Sequence, residues 1–215
     1  MNRPAMIVTL LCCLAGFPAS PQAATIERGD FSPDAVTLDF DDLNGSHTWC
    51  DGDQITDQYE NVTFEIPGSS CVICARSEID GNFVGNSDPN LAFVQQGLCD
   101  PPADFAQVTF DVPVRRVGTS FWTTSDANLV MTAYDASDLL IEEVAFVGTG
   151  GIGGWSGFAG LDAGSAVIAR LELRSRPLDP PDRPFNFSLD DFLYEGAAAV
   201  PVQPGTWGMV KARYR

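Results

Sequence analysis

The stretch VIARLEL, residues 167–173, decides the fold. Val167, Ala169, Leu171 and Leu173 share one side of an extended chain, while Arg170 and Glu172 lie on the other. A period of two is the signature of a strand with one apolar and one polar face. VTFEI (62–66) repeats the pattern, with Val62, Phe64 and Ile66 against Thr63 and Glu65. Working outward, short runs rich in β-branched and aromatic residues recur between turn signals. They are VTLDF (36–40), LAFV (91–94), AQVTFDV (106–112), VGTSFWTT (117–124), LVMTAY (129–134), LLIEEVAF (139–146) and FNFSLDDFLY (185–194). No window between residues 25 and 200 sustains a helical period. The expected fold is all-β: a single antiparallel β-sandwich, a jelly roll of the galactose-binding or carbohydrate-binding-module kind, spanning residues 25–199.

The glycine-dense stretch GTGGIGGWSGFAGLDAG (148–164) has no Lys-Ser/Thr and no following helix, so it is not a phosphate loop. Phe158 stands where a nucleophile elbow needs its last Gly. A bent or bulged strand is expected there. The chain carries 12 Lys+Arg against 29 Asp+Glu, a net charge of -17. All 29 acids but only 8 Arg fall within residues 25–199. That imbalance argues against nucleic acid or anionic membrane as a partner.

Residues 1–24 read as a secretory signal peptide: Arg3, then the apolar run MIVTLLCCLAGF (6–17), then Pro18, Ser20 and Pro21, with cleavage near Ala23 or Ala24. The apolar run is too short to span a bilayer. Beyond it lie Cys50, Cys71, Cys74 and Cys99. An even count in an exported chain points to disulfides, in any of three pairings. The CVIC spacing also admits zinc or redox chemistry, but a second close pair for zinc and a helix start for redox are both missing.

Two acidic doublets sit at opposite ends of the domain, Asp41-Asp42 and Asp190-Asp191. First and last strands of a jelly roll are commonly neighbours, so the four carboxylates could meet. Only a cation would then offset their repulsion, and Ca²⁺, which takes six to eight oxygens, suits the chemistry. Strand alternation would send one Asp of each doublet inward. Trp122, Trp155 and Tyr134 are the candidates for a stacking surface that takes sugar rings.

The tail VPVQPGTWGMVKARYR (200–215) resembles the PEP-CTERM protein-sorting signal of Gram-negative bacteria. Val200, Pro201, Pro204, Gly205, Thr206, Trp207, Gly208 and Met209 match its opening, and Lys211, Arg213 and Arg215 its basic end. FDDL (40–43), DQYENVTF (57–64), VTFDVPVRRVG (108–118), LVMTAYDASDLLIEEV (129–144) and SLDDFLYEG (188–196) resemble the exported sandwich domain found beside that signal. The Glu of Pro-Glu-Pro is absent, and only Met209 and Val210 stand where the membrane helix should be. The resemblance implies an exported cell-surface or extracellular-matrix protein in bacteria that make exopolysaccharide. Exosortase-type sorting machinery is its implied partner, and the mature chain has no transmembrane span.

Three functions compete. One is a non-catalytic module that binds exopolysaccharide with a structural calcium. Another is a matrix protein without a specific ligand. The last is a glycan-active hydrolase or lyase, for which no residue stands out as acid, base or nucleophile.

Overall fold

The computed structural model describes residues 23–47, 50–77, 87, 89–95, 103–123, 127–151, 154–165, 167–177 and 186–196. The expected leader to residue 22, Cys99 and the tail 200–215 lie outside them. The strands are β1 (Ala24–Thr25), β2 (Val36–Leu38), β3 (Val62–Glu65), β4 (Ile73–Ser77), β5 (Asn90–Val94), β6 (Ala106–Val114) and β7 (Arg116–Thr123). They continue as β8 (Ala127–Tyr134), β9 (Leu140–Phe146), β10 (Thr149–Gly151), β11 (Gly154–Asp162), β12 (Ile168–Pro177) and β13 (Phe187–Glu195). Ala24, placed at the leader's end by sequence, is half of β1 and pairs with Asp162.

Two antiparallel sheets face each other. The eight-stranded sheet runs β1-β11-β7-β13-β5-β4, with β10 on β11 and β2 on β13. The five-stranded sheet runs β3-β6-β12-β8-β9 and leaves β9 at its edge. The chain crosses repeatedly from one sheet to the other, and β2 does neighbour β13, as a jelly roll requires. The nine runs read as strands from sequence all contain a strand. The glycine stretch supplies β10 and β11. Its Gly154 has φ +153° and lies against the Trp122 indole, where a Cβ would come within 2.2 Å of the ring. Only glycine permits that approach.

Phe40, Phe64, Met131, Leu171, Phe187 and Phe192 are fully buried in the core. A second apolar cluster of Cys74, Leu91, Phe93 and Trp122, with Cys50 against it, is separate from that core. The Cys50–Cys74 disulfide ties Cys50 to this cluster. Cys71 is disulfide-bonded as well. Apolar cover on both sides leaves β4 and β5 buried along their whole length.

Two irregularities overturn simple alternation. In β13 the register against β7 slips by one residue between Asp190 and Leu193, and Asp191 takes φ +44°. This bulge returns Phe192 to the core, so the doublet does not split into one outward and one inward side chain. In β12 the register with β6 shifts between Ile168 and Arg170. Ile168 is therefore fully buried, whereas Val167 and Ala169 are only half-buried. On β6 the same irregularity spans Thr109 to Val114 and contains Pro113, which has no N–H for a ladder.

Asp162 at the end of β11 ties three segments together. It accepts hydrogen bonds from Arg115 Nε at 3.0 Å, Arg116 Nε at 2.7 Å and the Gly164 N–H at 2.6 Å. Burial alone would raise its pKa, but these donors outweigh it and hold the group at about 2. A depressed native pKa stabilises the fold fully above the ordinary value of 3.8 and loses that contribution as pH falls toward about 2. Acid titration of stability should therefore show a loss of about 2 kcal/mol across this window that Asp162→Asn removes. An unchanged acid limb in Asp162→Asn would refute the assignment.

Candidate functional site

The structure brings one member of each acidic doublet toward the same segment. Asp41 Oδ1 accepts the Asn90 N–H at 2.9 Å. Asp190, only 2% exposed, accepts the Ser87 N–H at 2.7 Å and the Ser87 hydroxyl at 3.1 Å. The other members turn elsewhere. Asp42 accepts the Tyr59 hydroxyl at 2.8 Å, and burial together with this carboxylate keeps that phenol protonated well above its usual range. Asp191, 4% exposed, pairs with Arg28 at 2.8 Å. The four carboxylates do not form one cage, and among the described residues no three acids, histidines or cysteines are grouped to hold a metal. The repulsion inferred from sequence is met here by N–H, O–H and guanidinium donors.

The aromatic candidates are dispersed. Trp122 is 8% exposed and belongs to the second cluster on the eight-stranded sheet. Trp155 pairs through its backbone with Thr123 on the same sheet. Tyr134 lies on the five-stranded sheet, where the Arg170 guanidinium covers its ring at 3.9 Å. Its hydroxyl donates to Glu172 at 3.2 Å, and Arg170 also binds Glu172 at 2.6 Å. Around it runs a cross-strand polar row of Glu65, Gln107, Glu172, Thr132 and Glu143, each in register with the next. Gln107 donates to Glu65, and Thr132 donates to Glu143. These groups satisfy one another and stiffen the sheet.

A groove of about 200 Å³ opens where the sheets meet. Asp34, Val36, Tyr194, Glu195 and Gly196 line it from the β2–β13 side, and Asn61 with Val112, Pro113 and Val114 from the β3–β6 side. Its shape follows from the β6 irregularity at Pro113, beside which Val112 stands 65% exposed. Val36 opposite is 43% exposed. Tyr194 forms the floor and donates its hydroxyl to the Glu60 carbonyl at 3.0 Å, pinning the turn that carries Asn61. Glu195 accepts the Ser32 N–H at 3.1 Å and pairs with Arg116 at 3.4 Å. The side chains of Asp34 and Asn61 have no hydrogen-bond or ion-pair partner among the described residues. An apolar floor with a few convergent polar groups is the composition of a small-ligand site. Sequence reading missed all of these residues, and the proline inside β6 was the one available signal.

No family model and no curated protein matches the sequence. Among solved structures, the K2 cleaved adhesin domain of Lys-gingipain is similar, with 11% identity, coverage of 76% of this chain and 98% of that one, and a TM-score of 0.44. The enzymatically active domain of bacteriophage CBA120 tailspike protein 4 shares 15% identity over 65% of this chain, with a TM-score of 0.29. This chain spans 20% of that tailspike chain. Likenesses this remote carry no functional argument.

Proposed function

We propose that the protein is an exported, non-catalytic β-sandwich that binds extracellular polysaccharide through the groove between β2–β13 and β3–β6. The groove itself carries this reading: Val36, Val112 and Tyr194 offer C–H and ring surface to a sugar face, and Asp34 and Asn61 offer acceptors and a donor to its hydroxyls. The Cys50–Cys74 disulfide suits a protein folded in an oxidising compartment. Among the described residues no helix is long and apolar enough to cross a membrane. The PEP-CTERM-like tail fits delivery to a cell surface or matrix. Co-sedimentation with insoluble polysaccharides tests the reading. The full chain should be retained, and Val112→Asp should weaken retention at least tenfold. Equal retention of the two would remove the groove as the site.

Calcium belongs to the same proposal in a narrower form. Of the four acids, Asp41 and Asp190 both bond to the segment that holds Ser87 and Asn90, so an ion would sit beside that segment and draw its remaining oxygens from backbone carbonyls or water. Thermal unfolding in millimolar Ca²⁺ should lie several degrees above that in chelator, because a ligand of the native state stabilises by mass action. Coincident melts would leave these carboxylates as hydrogen-bond acceptors alone.

A further inference from the structure

Resting on the polysaccharide reading, we propose that the groove selects a cationic sugar, a pyranose bearing a free amine, as in a de-N-acetylated glucosamine polymer. Size limits the occupant first. About 200 Å³ lies below the roughly 300–1,000 Å³ of drug-sized pockets and suits one sugar ring. Charge then decides the class. Two carboxylates border the groove, and they are not equivalent. Glu195 is compensated by Arg116 and the Ser32 N–H. Asp34 is exposed, with no ion-pair or hydrogen-bond partner among the described residues, so it presents a full negative charge to whatever occupies the groove. A uronate or sulfated sugar would be repelled there. A neutral sugar would meet the charge with hydroxyl hydrogen bonds alone, without a charge pair. A protonated amine would meet it while the ring lies against Val36, Val112 and Tyr194. The surrounding domain reinforces the choice, because 29 acids against 8 Arg in residues 25–199 give a negative field that draws a polycation toward the surface.

The test uses three β-1,4-linked hexamers of one backbone: glucosamine, N-acetylglucosamine and glucose. Each is titrated calorimetrically into the full chain at about 150 mM salt, where the field of distant charges is screened beyond about 8 Å. The glucosamine hexamer should bind at least threefold tighter than the other two. Asp34→Asn should abolish that preference. Asp104→Asn, an equal change of charge at the far end of β6, should leave it intact. Equal losses in the two variants would show bulk charge attraction only and overturn the proposal. Equal affinity for all three hexamers would overturn amine selectivity while leaving polysaccharide binding in place. Binding of none would remove both.

Discussion

Truncating Phe192 to alanine is expected to lower the stability of the domain by about 3–5 kcal/mol, the cost of deleting a fully buried aromatic without collapse of the cavity. Phe192 is 0% exposed and stands at the centre of an aromatic group. Its ring meets Phe64 edge-on at 5.3 Å, Phe110 at 6.4 Å and Tyr194 at 6.5 Å. These contacts join β13 of one sheet to β3 and β6 of the other, so the loss falls on the interface between layers. Against a total of about 5–15 kcal/mol, such a change leaves much of the chain unfolded near physiological temperature. Tyr194, the floor of the groove, would lose its neighbour, and sugar binding should weaken with stability. Urea unfolding followed by circular dichroism measures the effect. A loss under about 1 kcal/mol would mean that the aromatic group is not the centre of the core.

The second large effect concerns the disulfide. Replacing Cys50 and Cys74 together by serine opens a loop closed over a sequence separation of 24. The chain-entropy account gives about 3 kcal/mol for a loop of this size. Here the consequence is also local, since Cys50 packs on the cluster of Cys74, Leu91, Phe93 and Trp122. The double variant should unfold at lower urea and shift tryptophan emission to the red, as water reaches Trp122. A midpoint matching the parent protein would show that the linkage constrains nothing in the unfolded chain.

What could be read from the sequence was set by how many faces of each strand meet water. β12, β6 and β3 alternate because one face packs inward and the other carries Arg170, Glu172, Gln107, Thr109, Thr63 and Glu65. β4 was not recognised, because ICARS has neither a period of two nor an apolar and aromatic run like the LAFV of the equally buried β5. Its cysteine spacing signalled a cross-link but not the strand that carries it. The doublet Asp190-Asp191 was legible as a pair but not as an arrangement. Strict alternation sends one aspartate inward and one outward, whereas the bulge with Asp191 at φ +44° leaves both buried. The groove was illegible for a different reason. Asp34, Asn61, Val112 and Tyr194 come from separate segments, and none is unusual in its own neighbourhood. They converge only because Pro113 interrupts a ladder.

The free edge of the five-stranded sheet bears on how such a protein behaves when crowded. Among the described residues β9 ends the sheet and pairs through its backbone ladder with β8 alone; an open strand edge is the usual template for strand-to-strand polymerisation. At its middle stand Glu142 and Glu143, adjacent residues that project to opposite faces of the strand. Any second copy approaching that edge meets a carboxylate whichever face it favours. Charge on an edge strand opposes edge-to-edge pairing, so the two glutamates disfavour polymerisation through β9.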